Sequence, residues 1–220
     1  KQKREAREKE KEKEAQAKKV AVEGTEFVAD TPYHKVVRPL TKEGSCYFGR
    51  QTRWCISAER STNYFDEYTG KGKAFFFLLA KNKNVEDAYK KIAVVIDDKG
   101  NFEEYFDAPD DSMTYQEFVR AVRQTMIGEE LSDEIASFEE DEAFDKDKIM
   151  KAVEILGVSE YIDDDEIAIE NAVEMIDDEV IEYISDLEVK AGESVTATPA
   201  GIPFYKYEEI LDKFPFKKMR

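Results

Sequence analysis

Cys55 is the residue of this chain best suited to covalent chemistry, because a cysteine thiolate is a strong nucleophile. Arg50 and Arg53 precede it closely, and a neighbouring cation favours the thiolate form. The only histidine, His34, is the single candidate for a general base. No visible motif places an Asp or Asn to orient that imidazole, and no glycine-rich oxyanion turn is present. We therefore predict no catalytic site, and we keep an enzyme that uses Cys55 and His34 as the alternative.

The same segment offers a second kind of site, one that binds an anion or a nucleotide. Arginine guanidinium groups form paired hydrogen bonds with carboxylates and phosphates, and the N-terminus of a helix favours negative charge. The candidate ligand-binding residues are Arg50, Arg53, Asn63, Tyr64 and Tyr68. In the competing interpretation, Trp54 and the aromatic residues after it form a core between a strand and a short helix, and Cys55 packs as a small apolar residue.

Metal and cofactor sites find little support in the sequence. Cys46 and Cys55 are the only cysteines, and together with one histidine they exclude zinc fingers, haem attachment and iron–sulfur clusters. So few cysteines also favour a reducing compartment. Aspartates cluster at 107–111 and 163–165, but neither cluster has EF-hand spacing, and turns and helix caps account for them. We predict no metal site and no cofactor.

An antiparallel sheet with a small inserted helix is predicted for residues 24–110, and it would position the Cys55 segment. The apolar run at 73–80 predicts a central strand covered on both faces. Residues 92–96 and 102–106 flank a turn with Gly100 and predict a hairpin. The remaining predictions are an irregular segment at 24–43, two short strands around Gly49 within 45–57, and a short helix at 64–68 that stops at Gly70.

A mostly helical lobe is predicted for residues 111–188. Apolar residues at helical spacing begin after Thr114 and predict a helix there, with further helices at 131–139 and 146–156. Asp163–Glu166 then opens a long helix, because acidic residues suit the positive end of the helix dipole. For residues 189–220 we predict a tail, with a loop at 191–203 and a short helix at 207–213. The predicted fold class is α+β.

Charge is distributed unevenly along the chain. The net charge is −17, yet residues 128–188 alone carry 24 acidic and 3 basic side chains. Residues 1–23 contain good helix formers and few apolar residues, which predicts a charged helix or linker, with a partly disordered tail as the alternative. An acidic surface repels duplex DNA, since affinity for DNA depends on neutralising phosphates with Lys and Arg. No apolar run is long enough to span a membrane, and no secretion signal is visible.

The Trp54 segment also resembles a sequence pattern of uncharacterised proteins from tailed bacteriophages and other mobile elements. That pattern has a glycine, then Thr-Lys/Arg-Trp-Cys-x-Ser/Thr-Ala, then Tyr-Phe-x-x-Tyr and an apolar strand. The matching residues here are Pro39–Thr41, Gly49, Thr52–Ala58, Asn63–Phe65 and Tyr68. The similarity covers residues 36–107, and Phe48 stands where the pattern often has tyrosine. The resemblance implies a phage or mobile-element origin and carries no activity with it.

Together these observations favour a non-enzymatic phage protein with a structural, assembly or host-interaction role. Its expected partner is a protein, either a virion or a host component, and neither duplex nucleic acid nor a membrane. The expected location is the host cytoplasm or the virion. The acidic lobe has two interpretations, a solvated helical bundle or a surface that engages a basic protein or imitates the charge of DNA.

Overall fold

The structure is a computed structural model, and it describes residues 2–140, 143–158 and 166–196. Six strands form one sheet, and helices precede, interrupt and follow it. The strands are β1 (Thr25–Asp30), β2 (His34–Pro39), β3 (Ala74–Ala80), β4 (Lys91–Ile96), β5 (Phe102–Phe106) and β6 (Ser112–Met113). The helices are α1 (Gln2–Glu23), α2 (Lys42–Phe48), α3 (Phe65–Gly70), α4 (Tyr115–Ile127), α5 (Glu129–Glu139), α6 (Lys146–Leu156) and α7 (Glu166–Thr196).

The sheet is an antiparallel meander, in which neighbouring strands follow chain order from β1 to β6. This confirms the predicted α+β class with its antiparallel sheet and inserted helix α3. The apolar strand β3 lies inside the sheet between β2 and β4, and its first five residues are buried. Continuous burial is possible because both faces of the sheet are covered.

Two cores flank the sheet, because successive side chains of a strand point to opposite faces. On one face, Phe76 and Val94 pack with the apolar sides of α4, α5, α6 and α7. On the other face, Phe75 and Phe77 pack with Trp54 and its neighbours. The sheet and the acidic helices therefore share the larger core, and the Trp54 segment builds the smaller one.

The prediction of an irregular segment at 24–43 is wrong, since this part of the chain contains β1 and β2. Pro39 is the last residue of β2, where a missing amide hydrogen is tolerated. Val36 faces the larger core and Val37 the smaller one, so β2 is buried on both sides. A strand this short, with charged residues interspersed, gives little periodic signal.

The prediction of two strands within 45–57 is also wrong. The chain instead forms α2 and then a single 3₁₀ turn at Cys55–Ser57. The Thr41 hydroxyl caps α2 by accepting a hydrogen bond from the Gly44 amide at 3.2 Å. Trp54 and Ile56 are still buried, but they enter the core from a loop and a turn.

The helical part follows the predicted boundaries closely. Thr114 and Glu117 form a reciprocal capping box that starts α4. Arg123 of α4 is only 2% exposed, and its Nη1 lies 2.8 Å from carboxylate oxygens of both Glu139 in α5 and Asp177 in α7. One guanidinium group therefore joins three helices. The predicted loop at 191–203 is wrong at its start, because α7 continues to Thr196. The predicted helix at 207–213 and Asp163–Asp165 lie outside the described residues.

Helix α1 carries the charged sequence predicted to be helical or a linker. Its described side chains from Glu10 to Val20 are exposed, but the helix contacts α2, and the groove between them is lined by Ala17 of α1 and Tyr47 of α2. Its end is fixed by buried Ala21 and by a hydrogen bond from the Thr25 hydroxyl to the Ala21 carbonyl. No helix in the described ranges combines the length and the apolar character that crossing a membrane requires.

Candidate functional sites

Trp54 is the centre of the smaller core. It is 2% exposed, and its indole ring lies 4.6 Å from the ring of Phe77, measured between centroids. Its Nε1 donates a hydrogen bond to the backbone carbonyl of Asp107 at 2.5 Å, so the one polar atom of the side chain is satisfied. The residue thus joins the loop before the 3₁₀ turn to the sheet and to the segment after β5.

The small residues of the motif hold α2 against the 3₁₀ turn. The Ser45 hydroxyl lies 3.1 Å from the Ser57 hydroxyl and donates to the Ile56 carbonyl at 2.9 Å. Gly49 closes this contact, because a Cβ at that position would collide with the Ser57 side chain. Thr52 bonds back to the Gly49 carbonyl at 2.6 Å. These motif positions are therefore explained by folding.

Both polar atoms of the Asn63 side-chain amide form hydrogen bonds within the protein. Its Nδ2 donates to the carbonyls of Ile56 at 2.8 Å and Ala58 at 3.2 Å, and its Oδ1 accepts from the Phe65 amide at 2.9 Å. Since both amide hydrogens have partners within the protein, Asn63 positions the start of α3 and has little left for a ligand.

The other four predicted ligand-binding residues do not converge on one place. The Arg50 guanidinium pairs with Glu59 at 3.3 Å and stacks over the Tyr47 ring at 4.8 Å, beside α2. Arg53 is exposed and has no side-chain partner among the described residues. Tyr64 and Tyr68 lie at α3, each more than a third exposed. This geometry gives no common anion site.

Cys55 and His34 lie on opposite sides of the sheet. Cys55 packs against the smaller core, whereas His34 faces the helices, where its Nδ1 is 2.8 Å from the Tyr183 hydroxyl of α7. Burial raises the pKa of the Cys55 thiol above its usual value, and the Asp110 carboxylate raises it further. A raised pKa leaves little thiolate at neutral pH. The two residues of the enzyme alternative therefore do not form a nucleophile–base pair.

His34 makes the stability of the fold depend on pH. Burial lowers its pKa to about 3, and the charge of Lys81 adds to this effect. In the unfolded chain the imidazole takes up a proton below a pKa of about 6.5, while in the folded protein it stays neutral. The effect of His34 on the free energy of unfolding is therefore small above pH 6.5, and it lowers that free energy as the pH drops below 6.5. We expect this one residue to lower the free energy of unfolding by about 2 kcal/mol between pH 7 and pH 5.

Urea unfolding of the wild type and of His34→Gln at both pH values measures this contribution. The stability difference between the two proteins should shift by the stated amount in favour of the variant at pH 5. Parallel pH curves for the two proteins would show that His34 titrates in the same way when folded and unfolded.

A cavity of about 390 Å³ opens beside Trp54 on the smaller-core side of the sheet. The sheet contributes Phe75, Ala93, Val95 and Phe106, and the motif contributes Trp54, Cys55, Ile56 and Tyr68. Three charged residues, Lys73, Glu104 and Asp110, complete the lining. No local sequence pattern predicts this cavity, because its walls come from segments far apart along the chain.

Helix α7 presents a second feature, a row of carboxylates on its exposed side. Exposed acidic residues recur at every fourth position, and they are Glu170, Glu174, Asp178, Glu182 and Asp186. None of the five forms an ion pair or a hydrogen bond with the described residues. Residues four apart are neighbours on a helix surface, so this acidic row is continuous along α7. The four-residue spacing of these carboxylates is visible in the sequence, but only the structure shows that they are exposed.

Metal binding has no geometric support within the described ranges, where no three His, Cys, Asp or Glu residues are grouped to hold an ion.

No protein-family model, curated protein or solved structure matches the chain.

Proposed function

We propose that this chain is a non-enzymatic interaction protein whose α7 surface binds a basic surface of a protein partner. The acidic row of α7 carries the proposal. Neighbouring like charges four residues apart on a helix destabilise it by about 0.2–0.5 kcal/mol per pair. The row contains four such pairs, so the fold tolerates roughly 1–2 kcal/mol of repulsion. A cationic partner would remove that repulsion on binding.

Apolar groups beside the row support a protein partner over free counterions. Ile181 is 42% exposed and Val189 is 61% exposed, and both lie on the same solvent-facing side of α7 as the carboxylates. A surface that combines apolar side chains with one sign of charge is suited to a protein that supplies the opposite charge. Duplex DNA carries the same sign of charge as this surface and is disfavoured.

The resemblance of the Trp54 segment to proteins of tailed phages suggests where the partner is found. A virion component or a host protein with a basic surface fits, and the host cytoplasm is then the place of action, with the assembled particle as a second location. The segment that carries the resemblance builds the smaller core, whereas the proposed binding surface lies on the other side of the sheet.

Photo-crosslinking tests this proposal at the surface that carries it. A photoreactive phenylalanine analogue at Ile181, between Asp178 and Glu182, should capture one or a few basic proteins in infected cells. The same analogue at Asp66, exposed on α3 on the other side of the sheet, serves as the matched control and should not capture them. Identical products from the two positions, or none from position 181, would contradict the proposal.

A further inference from the structure

Two motif residues, Cys55 and Tyr68, pack against the smaller core and also face the cavity beside Trp54. Gly49, Ser57 and Asn63 are used in contacts within the protein, as described above. Cys55 and Tyr68 are each partly exposed, and Tyr68 makes no side-chain hydrogen bond to a described residue. A volume of about 390 Å³ and a largely apolar, aromatic lining are typical of pockets for small molecules.

The charged groups of the cavity are unbalanced. Lys73 forms a short ion pair with Glu103, so its positive charge already has a partner. The carboxylates of Glu104 and Asp110 form no ion pair and accept no hydrogen bond from the described residues. Burial raises the pKa of Asp110, and the neighbouring carboxylates of Asp107 and Asp111 raise it further. The charge of Lys73 also acts on Glu104, so it is shared between two carboxylates, and no cation of the described residues acts on Asp110. The cavity therefore carries an excess of negative charge.

We propose that this cavity binds a small organic cation, an apolar or aromatic body that carries an ammonium or amidinium group. The apolar body would pack on Phe75, Val95 and Phe106, and the cation would lie between the free carboxylates and the aromatic rings. A cation gains both from a carboxylate and from the face of an aromatic ring. An anion would meet repulsion from Glu104 and Asp110. This site is independent of the α7 surface, which lies on the other side of the sheet.

Three probes with one phenyl group and different charge test the proposal, namely phenethylamine, 2-phenylethanol and 3-phenylpropionate. Trp54 is the only tryptophan, so its fluorescence reports binding in this cavity directly. At physiological salt, phenethylamine should bind roughly tenfold or more tightly than the neutral alcohol, since hydrogen bonds to charged groups are the stronger ones. The propionate should bind more weakly than the alcohol.

Protection of Cys55 from alkylation separates the cavity from adventitious binding to an acidic surface. In a Cys46→Ser background Cys55 is the only thiol, and phenethylamine should slow its alkylation at the concentrations that change the Trp54 fluorescence. A fluorescence change without protection of Cys55 would overturn the proposal, and so would the absence of any response at millimolar phenethylamine.

Charge removal provides the final control. In the double variant Glu104→Gln/Asp110→Asn, the preference for phenethylamine over 2-phenylethanol should fall about threefold or more, because the charged partners of the ammonium group are gone and only the aromatic rings still favour it. Asparagine fits position 110, where φ is 80°, since it tolerates the left-handed region. Glu174→Gln on α7, on the other side of the sheet from the cavity, should retain the preference for the amine. A double variant that keeps the full preference would contradict the assigned ligand class.

Discussion

Replacing Trp54 by alanine is expected to lower the free energy of unfolding by about 3–5 kcal/mol, the cost typical of deleting a large buried aromatic side chain. The residue is almost fully buried, contacts Phe77 and bonds to the Asp107 carbonyl. Its loss removes the packing that holds the 3₁₀ turn on the sheet, and it leaves a cavity that backbone segments from three parts of the chain cannot easily fill. Circular dichroism during urea unfolding measures the change without a tryptophan signal.

Trp54→Phe separates the packing from the hydrogen bond. Phenylalanine keeps an aromatic ring near Phe77 but removes one of the two hydrogen bonds that the Asp107 carbonyl accepts, because the Asp110 amide still donates to it at 3.1 Å. The loss of one such hydrogen bond costs about 0.5–1.5 kcal/mol. We expect this variant to fall between the wild type and Trp54→Ala. A loss below about 1 kcal/mol for the alanine variant would mean that the smaller core contributes little to the fold.

Reversing alternate charges of the acidic row should stabilise the protein. In Glu174→Lys/Glu182→Lys each new lysine stands between two carboxylates, so all four repulsive pairs become attractive. Since each pair changes from unfavourable to favourable, we expect a gain of about 2 kcal/mol at low salt. Urea unfolding at 20 mM and at 1 M NaCl measures it, and high salt should reduce the gain because it screens exposed charges.

A matched variant controls for net charge in this experiment. Glu10→Lys/Glu14→Lys on α1 changes the charge by the same amount on another exposed helix. It should not stabilise the protein, because acidic and basic side chains already alternate there. An equal gain in both variants would assign the effect to net charge and not to the acidic row of α7.

The elements with strong periodicity could be predicted from the sequence. The uninterrupted apolar run of β3, the turn with Gly100 and the helical spacing of α4 and α7 each dominate their local structure, and the structure contains all of them. The prediction of strands at 45–57 was wrong, although the alternating apolar residues Trp54 and Ile56 do reach the core. They reach it from a loop and a turn, and not from a strand. The turn conformation depends on the close contact of Gly49 with Ser57. That contact is a tertiary one, so the local sequence pattern does not predict it.

The candidate sites were harder to predict from the sequence than the fold. Arg50, Arg53 and Cys55 are close along the chain, which favours a shared site, yet their side chains have different surroundings in three dimensions. The cavity depends on β3, β4, β5 and the motif coming together, which no local pattern encodes. The acidic row was present as a regular spacing, but only the fold shows which side of α7 faces solvent.

The proposed function rests on α7 as the contact surface for a basic protein, and the most direct test is the affinity of the partner captured at position 181. Isothermal titration calorimetry with that purified partner should show binding about a hundredfold weaker for Glu174→Lys/Glu182→Lys than for the wild type, because like charges facing each other across an interface cost several kcal/mol. Glu10→Lys/Glu14→Lys should bind within about threefold of the wild type. Affinity for the α7 variant within threefold of the wild type would contradict the proposed role of this surface.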